Sequence, residues 1–203
     1  MTEPLPAAGS GRTPPLPDEE ALVARAVRGD RVAFTQLIEH YQSAAYGLAW
    51  RLLGDREMAA DAAQDAFVHA YAAIASYRGG MFRSWILRIT ANASYDILRR
   101  QRRRPTVELP DPEEGGRELA DRHAPNPLAE ASRSEMYRHL EAALRRLPED
   151  QRTAVVLCDV YGMDYNQVAA MTHSALGTVK SRIHRGRLRL RELLADQREL
   201  FGG

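Results

Sequence analysis

The chain has 203 residues, enough for one ordinary domain or two small ones, and 44% of them are hydrophobic, enough for packed cores. No apolar run approaches the roughly 20 residues a membrane-spanning helix needs, and the start MTEPLPAAGSGRTPPLPDEE lacks the basic and apolar regions of a signal peptide, so no membrane insertion and a cytoplasmic location are expected. A single cysteine, Cys158, excludes an internal disulfide and a thiolate metal cluster, and the net charge of +1, from 28 basic and 27 acidic residues, hides a strong segregation along the chain.

Proline divides the sequence. Five of the eleven prolines lie within residues 4–17, five within 105–127, and only Pro148 falls elsewhere. Proline breaks helix interiors and marks linkers. The expected organisation is a disordered tail (1–17), a first module (18–104), a linker (105–127) and a second module (128–203). The linker carries six acids against two arginines and few large apolar residues, so it is not expected to fold alone.

Both modules read as helical. Asp18 is placed as the cap of a short helix ending near Gly29. Asp30 caps a long helix with Phe34, Leu37, Ile38, Tyr41, Ala45, Leu48 and Leu52 at helical spacing, ending at Gly54. Asp55 opens a third, with Met58, Ala62, Ala66, Phe67, Ala70 and Ile74 inward. A loop, SYRGGM, leads to a fourth with Phe82, Ile86, Ile89, Ala93 and Ile97 on one stripe. Helices are expected near 128–146, 149–161, 165–172 and 176–195. No alternating strand pattern and no internal repeat appear, so the fold class is all-α, two small helical modules joined by a flexible linker.

On the fourth helix, Trp85, Asn92, Asp96 and Arg99 share a face about a quarter-turn from the apolar stripe. Arg99, Arg100, Arg102, Arg103 and Arg104 follow. Rings stack on bases, Asn reads base edges and Arg grips phosphate, so this set suits nucleic acid. A core tryptophan beside a solvated arginine run fits the same residues. Five arginines in six residues repel one another, however, and an anionic partner relieves that cost.

Residues 164–187, DYNQVAAMTHSALGTVKSRIHRGR, read as a helix-turn-helix. Asp164 caps a short helix with Val168, Ala169 and Met171 inward, and a tight turn follows at 172–175. The next helix has Leu176, Val179, Ile183 and Leu190 on one face. Thr178, Ser181, Arg182 and Arg185 lie on the opposite face, flanked by Lys180, His184 and Arg187. Residues 176–191 hold six basic residues and no acid, so the outer face is one-signed, unlike that of an ordinary helical hairpin. A positioning helix, a turn and a basic helix is the arrangement that enters a major groove.

The segment GDREMAADAAQDAFVHAYAAIASYRGGMFRSWILRITANASYDILRRQRRR resembles the second conserved region of extracytoplasmic-function (ECF) sigma factors of the sigma-70 family. LRRLPEDQRTAVVLCDVYGMDYNQVAAMTHSALGTVKSRIHRGRLRLREL resembles their fourth region. The resemblance implies a dissociable subunit of bacterial RNA polymerase, often tied to stress responses, with no catalytic site, cofactor or metal of its own. Its implied partners are the polymerase core, through the clamp coiled coil of β′ and the β flap, promoter DNA, and an anti-sigma factor. Asp61, Gln64, Asp65 and Phe67 match the helix that docks on the clamp. Read alone, Asp61, Gln64 and Asp65 form one polar patch that also fits a solvated face. Asn92 matches the position contacting an extruded −10 base, and the loop 76–82, with Tyr77, Arg78 and Phe82, matches the loop that pockets it. Trp85, Asp96, Arg99, Arg100 and Arg103 are assigned to −10 DNA with them. Thr178, Lys180, Ser181, Arg182, His184, Arg185 and Arg187 match the helix that reads the −35 element. The chain departs from the pattern at Ala60, where a Glu is usual, and in the turn at Thr172, His173 and Ala175, where Leu, Gly and Pro are common.

Two other classes fit less well. A LuxR-like regulator leaves the basic helix of the first module without a role and asks for a dimerisation helix that is not apparent. A metalloenzyme has Asp65 and His69 at i, i+4 but no paired Glu-x-x-His motifs at bundle spacing, no glycine-rich phosphate loop and no nucleophile elbow. Cys158, within TAVVLCDVY, is expected to be a small core residue.

Overall fold

A computed structural model describes residues 16–103 and 127–195, and every regular element among them is helical. The chain divides into two compact units. The linker expected at 105–127 lies outside the described residues except for Pro127, as do Arg104, most of the tail and residues 196–203.

The first unit holds α1 (Glu19–Val27), α2 (Arg31–Leu53), α3 (Arg56–Ala73), one 3-10 turn (Ile74–Ser76) and α4 (Phe82–Arg103). Local chemistry sets most boundaries. The Asp30 carboxylate accepts from the amides of Val32 and Ala33, and that of Asp55 from Met58, so both satisfy helix-start donors that otherwise lack partners. These amides and the nearby Arg25 guanidinium hold the Asp30 carboxyl below its ordinary pKa. Gly54, in the left-handed region at φ 74°, turns α2 into α3 within two residues. Asp18 departs from expectation. Its φ of 57° is left-handed and its side chain makes no cap hydrogen bond, because a capping carboxylate requires extended backbone to face the first-turn amides.

α2, α3 and α4 pack against one another, and α1 lies on α2 and the 3-10 turn. The large core side chains come from α2 and α4, among them Leu37, Leu48, Leu52, Phe82, Ile86 and Leu87. Those that α3 buries are all alanines (Ala59, Ala62, Ala63, Ala66 and Ala70), which admit a close approach on both sides. The buried face of α4 is rotated from the expected stripe. Thr90 and Ser94 are fully buried, and Ile89 and Ile97 only partly. Each buried hydroxyl donates to the carbonyl one turn back, Thr90 to Ile86 at 3.0 Å and Ser94 to Thr90 at 2.8 Å, so burying them leaves no orphaned polar atom.

The second unit holds α5 (Pro127–Arg145), α6 (Glu149–Val155), a π-helical turn (Val156–Val160), α7 (Tyr165–Met171) and α8 (Leu176–Ala195). Pro127 begins α5, one residue earlier than expected, at a position where proline's missing N–H costs nothing. The helix expected over 149–161 is regular only to Val155. The amide of Tyr161 then reaches back to the Val156 carbonyl at 3.1 Å, one residue wider than an α-helical bond. Gly162, at φ 70°, lets the chain leave that turn. α6 and α8 make the main contact of the unit, where Val155 meets Gly186, and Val156, Leu157, Val179, Ile183, Leu190 and Leu193 are buried within the unit. At their closest point a Cβ on Gly186 would lie 2.6 Å from Val155 Cγ2 and 3.4 Å from the Gln151 carbonyl oxygen.

Cys158 is half-buried on the π turn, less enclosed than expected. Burial, with Asp159 beside it, pushes its thiol up to about 11. A reagent that attacks only thiolate should therefore alkylate Cys158 about 100-fold more slowly near neutral pH than a thiol at the reference value of 9.0. The unfolded chain releases the proton first, so this residue's contribution to stability falls as pH rises from 9 toward 11. A time course of iodoacetamide labelling checks the first statement. Thr153 supplies a second test. It is 1% exposed, and among the described residues its hydroxyl has no hydrogen-bond partner. Thr153→Val keeps the shape and removes the stranded group, so it should stabilise this unit by about 1 kcal/mol, a rise of roughly 4–8 °C in its thermal midpoint.

Candidate nucleic-acid interface

The loop before α4 is built on aromatic packing. The Phe82 ring lies 5.7 Å from Tyr41, 5.9 Å from Tyr77 and 5.3 Å from Trp85, and Tyr77 lies 5.3 Å from Trp85. Tyr77 also donates its hydroxyl to the Gly80 carbonyl at 2.7 Å, closing the loop on itself. Gly79 and Gly80 have φ of 95° and 99°, which is why glycine stands there. Phe82, expected at DNA, is only 1% exposed. It is the floor of the cluster, not a surface contact, because Tyr41 and Tyr77 close over it from two other elements. Tyr77 and Trp85 keep partial exposure, and Arg78 and Met81 are open to solvent. On the other side of the loop, Tyr41 donates a short hydrogen bond to the Glu19 carboxylate. Burial, and then Glu19, raise the pKa of both Tyr41 and Tyr77, so both phenols stay protonated donors at any physiological pH. Between α1 and the loop lies a shallow groove of about 450 Å³, with Glu20, Val23, Tyr77 and Gly79 among its walls.

Farther along α4, Asn92 and Arg100 are exposed. Asp96 and Arg99, both assigned to DNA, form a half-exposed ion pair at 2.9 Å. The side chain of Arg103 lies outside the described residues.

On α3 the structure exposes Asp61, Gln64 and Asp65 together, while Phe67 is half-buried. The same face continues through Val68, 62% exposed, and Tyr71, 46% exposed, whose ring meets Phe34 at 5.2 Å. Sequence reasoning missed this apolar extension. Its signal was available, since Val68 and Tyr71 follow Asp65 at i+3 and i+6 on a polar face.

The helix-turn-helix forms from α7 and α8. Asp164 and Gln167 make a reciprocal capping box, with 2.9 Å from the Gln167 amide to Asp164 and 3.1 Å from the Asp164 amide to Gln167. His173 takes the left-handed turn at φ 48°, where families with this pattern often place glycine. Thr172 is buried and donates to the Val168 carbonyl at 2.8 Å. Thr178, Lys180, Ser181, His184 and Arg185 are exposed on α8. The Ser181 hydroxyl donates to the Gly177 carbonyl at 2.9 Å.

Arg182 and Arg187 are placed differently from expectation. Arg182 donates to Asp150 at 2.9 Å and to the Ser174 hydroxyl at 2.8 Å. Arg187 binds the Asp159 carboxylate with two hydrogen bonds, 3.0 and 2.6 Å, and the two side chains are only 17% and 10% exposed. The cause is angular. Five residues separate them, about 140° around the helix, and the buried seam of Val179, Ile183, Gly186 and Leu190 lies between. α6 and the π turn that continues it form one run, the α6 run, and each arginine borders it and meets an acid there, Arg182 at Asp150 on α6 and Arg187 at Asp159 on the π turn. Beyond Arg185 the exposed face ends in a second shallow groove of about 450 Å³, walled by Arg146, Arg185, Leu188, Arg189 and Glu192 among others.

Comparison with known proteins agrees with this arrangement. The Sigma-70 region 2 model matches residues 37–104, and the Sigma-70, region 4 model matches residues 137–190. The chain is 39% identical over 170 residues to the ECF RNA polymerase sigma factor SigE of Mycolicibacterium smegmatis, covering 82% of this chain and 65% of that one, and so spans about two thirds of the length of that relative. It is 36% identical over 175 residues to the RNA polymerase sigma-H factor of Pseudomonas aeruginosa, covering 83% and 90% of the two. Among solved structures, the sigma factor RpoE of Bartonella quintana, in complex with the anti-sigma factor NepR, superposes with a TM-score of 0.56 at 28% identity, covering 80% of this chain and 96% of that one. With both regions matched in order and the relatives aligned across most of the chain, this protein belongs to the extracytoplasmic-function sigma factors of the sigma-70 family.

Proposed function

We propose that the chain acts as a dissociable promoter-specificity subunit, carrying core RNA polymerase to alternative promoters in the cytoplasm and starting DNA opening there. The observation that carries this reading is the one-signed, exposed face of α8, with Thr178, Lys180, Ser181, His184 and Arg185 side by side. Hydroxyls, arginine and lysine are the donors that read base edges in a major groove. The second unit then reads the −35 element and sets register.

The first unit acts on the −10 element. Breaking base stacking costs about 1–2 kcal/mol per step. Capturing an extruded base by ring stacking or by its edge returns roughly 1–3 kcal/mol for each contact. Binding a base better outside the duplex than inside shifts the equilibrium toward opening, so no catalytic group is needed. Tyr77 and Trp85 offer partly exposed rings over the Phe82 floor, Asn92 an amide for a base edge, and Arg78 and Arg100 grip phosphate. Asp61, Gln64 and Asp65, extended by Val68 and Tyr71, form the surface for the β′ clamp. An anti-sigma factor is the natural competitor for the polymerase-facing surface, and the RpoE relative stands in complex with the anti-sigma factor NepR. The acidic linker, residues 105–127, tethers the two units while polymerase fixes their separation.

Transcription from genomic fragments by purified core polymerase, with and without the chain, tests the reading. New start sites that depend on the chain support it, and no association with core polymerase refutes it. On a mapped promoter, Arg185→Ala should lower discrimination against a scrambled −35 element by about tenfold, the worth of one good base contact. Asn92→Ala should slow open-complex formation about tenfold while leaving core affinity within about twofold. Asp61→Arg should do the reverse, weakening core binding at least tenfold by placing a like-sized opposite charge at the centre of the docking face. Fluorescence anisotropy for core binding and permanganate footprinting for opening separate the three.

A further inference from the structure

Arg182 looks by sequence like a reader of DNA, being a basic residue one step from Ser181 on a basic helix. Its geometry says otherwise. Nε donates to Asp150 at the start of α6, and Nη1 donates to the Ser174 hydroxyl in the turn between α7 and α8. The Ser174 hydroxyl in turn donates to the Thr172 carbonyl at 3.1 Å. One guanidinium thus joins three pieces: the reading helix, the turn that enters it, and the helix it packs on. Only 23% of the Arg182 side chain is exposed.

We propose that Arg182 is a positioning residue, which sets the angle of the reading face through Asp150 and Ser174 and does not itself touch the −35 DNA. The proposal rests on the −35 reading of α8. The turn shows why a pin is needed. It lacks proline, since Ala175 stands where rigid turns of this kind often carry one, and its one left-handed residue is His173. Apolar packing at Val179 and Ile183 fixes how deep α8 sits but resists rotation about its own axis only weakly. A planar fork that donates in two directions resists that rotation. Base reading tolerates errors of only about 0.5 Å and 10–20°. A single ion pair open in part to solvent adds little to stability, so its worth lies in direction. Arg187 repeats the device on the far border of the seam through Asp159.

The two roles for Arg182 make opposite predictions at Asp150. An acid beside DNA repels phosphate, so if Arg182 reads DNA directly, Asp150→Asn frees it and leaves binding unchanged or stronger. If Arg182 positions α8, Asp150→Asn costs discrimination as Arg182→Gln does. The experiment uses the full chain with core polymerase on a mapped promoter and on the same promoter with a scrambled −35 element, measuring the ratio of initiation. Asp150→Asn and Arg182→Gln should each lower that ratio about tenfold, Ser174→Ala about threefold, and the exchange Asp150→Arg with Arg182→Asp should recover at least threefold over either single variant. An unchanged or raised ratio for Asp150→Asn, or an exchange no better than the singles, overturns the proposal. Thermal midpoints are read in parallel, and Ser174→Ala, which deletes the two hydrogen bonds of one partly exposed hydroxyl and no charge, keeps the test open if a charged variant fails to fold. A parent ratio of one would instead sink the −35 reading itself, so the two failures are distinct.

Discussion

The constraint behind the second unit is that α8 has one apolar seam and must use it twice over. The seam of Val179, Ile183, Gly186 and Leu190 holds the helix to the α6 run, and whatever lies opposite becomes the surface offered to a partner. Burial of such a seam is non-directional and grips well without aiming. Direction comes from shape and from charge. Gly186 supplies the shape, because a side chain there would collide with Val155 and lift the helix. Arg182 and Arg187 supply the charge, one on each border of the seam, each tied to an aspartate of the α6 run. The exposed face then holds Thr178, Lys180, Ser181, His184 and Arg185, all from one stretch of two turns.

The first unit solves a different problem with the same economy. Its α3 must sit between α2 and α4 and still present a face outward. Alanines at the five buried positions let the flanking helices close on it from two sides. What remains of α3 is free for Asp61, Gln64, Asp65, Val68 and Tyr71, a polar surface continuous with an apolar one. α4 carries a similar division, with hydroxyls of Thr90 and Ser94 turned inward and satisfied by the helix itself, and Asn92 and Arg100 left outside.

How much of this was legible in the sequence follows from the range of each interaction. Caps act over three residues, so Asp30, Asp55 and Asp164 announced their helices correctly, as did Gly54 at the end of α2. Asp18 carries the same chemistry and fails, because its backbone is left-handed and no pattern in the surrounding residues encodes that angle. The carboxylate partners of Arg182 and Arg187 lie 32 and 28 residues away, beyond any periodicity, so both read as members of a basic face. Their position at the borders of the seam was available from helical geometry and marks them as candidates for inward pairing. Phe82 misled for a similar reason. An aromatic residue at a helix start beside a glycine loop suggests a stacking platform, and only the arrival of Tyr41 from α2 turns it into a floor. The π turn after Val155 left no trace that periodicity detects, since residues 153–157 are buried all round.

The basic residues of α8 do not all carry their charge to the same place. Counting charge along α8 treats its arginines as equivalent, and the geometry divides them into two kinds. Arg185 is exposed and, among the described residues, reaches the backbone of its own helix at 3.4 Å to the Ser181 carbonyl, so its charge is available to a partner. Arg187 gives two hydrogen bonds to the Asp159 carboxylate, Arg182 gives one to Asp150 and one to the Ser174 hydroxyl, and an arginine paired with an acid in this way presents a phosphate with a dipole instead of a net charge. The electrostatic footprint of α8 is therefore smaller than its sequence suggests, and the footprint in space is sharper. On the proposed −35 reading, a helix that spends two arginines on its own orientation trades non-specific affinity for discrimination. That trade is favourable where, as proposed, a larger polymerase supplies affinity and the helix is needed to choose the site.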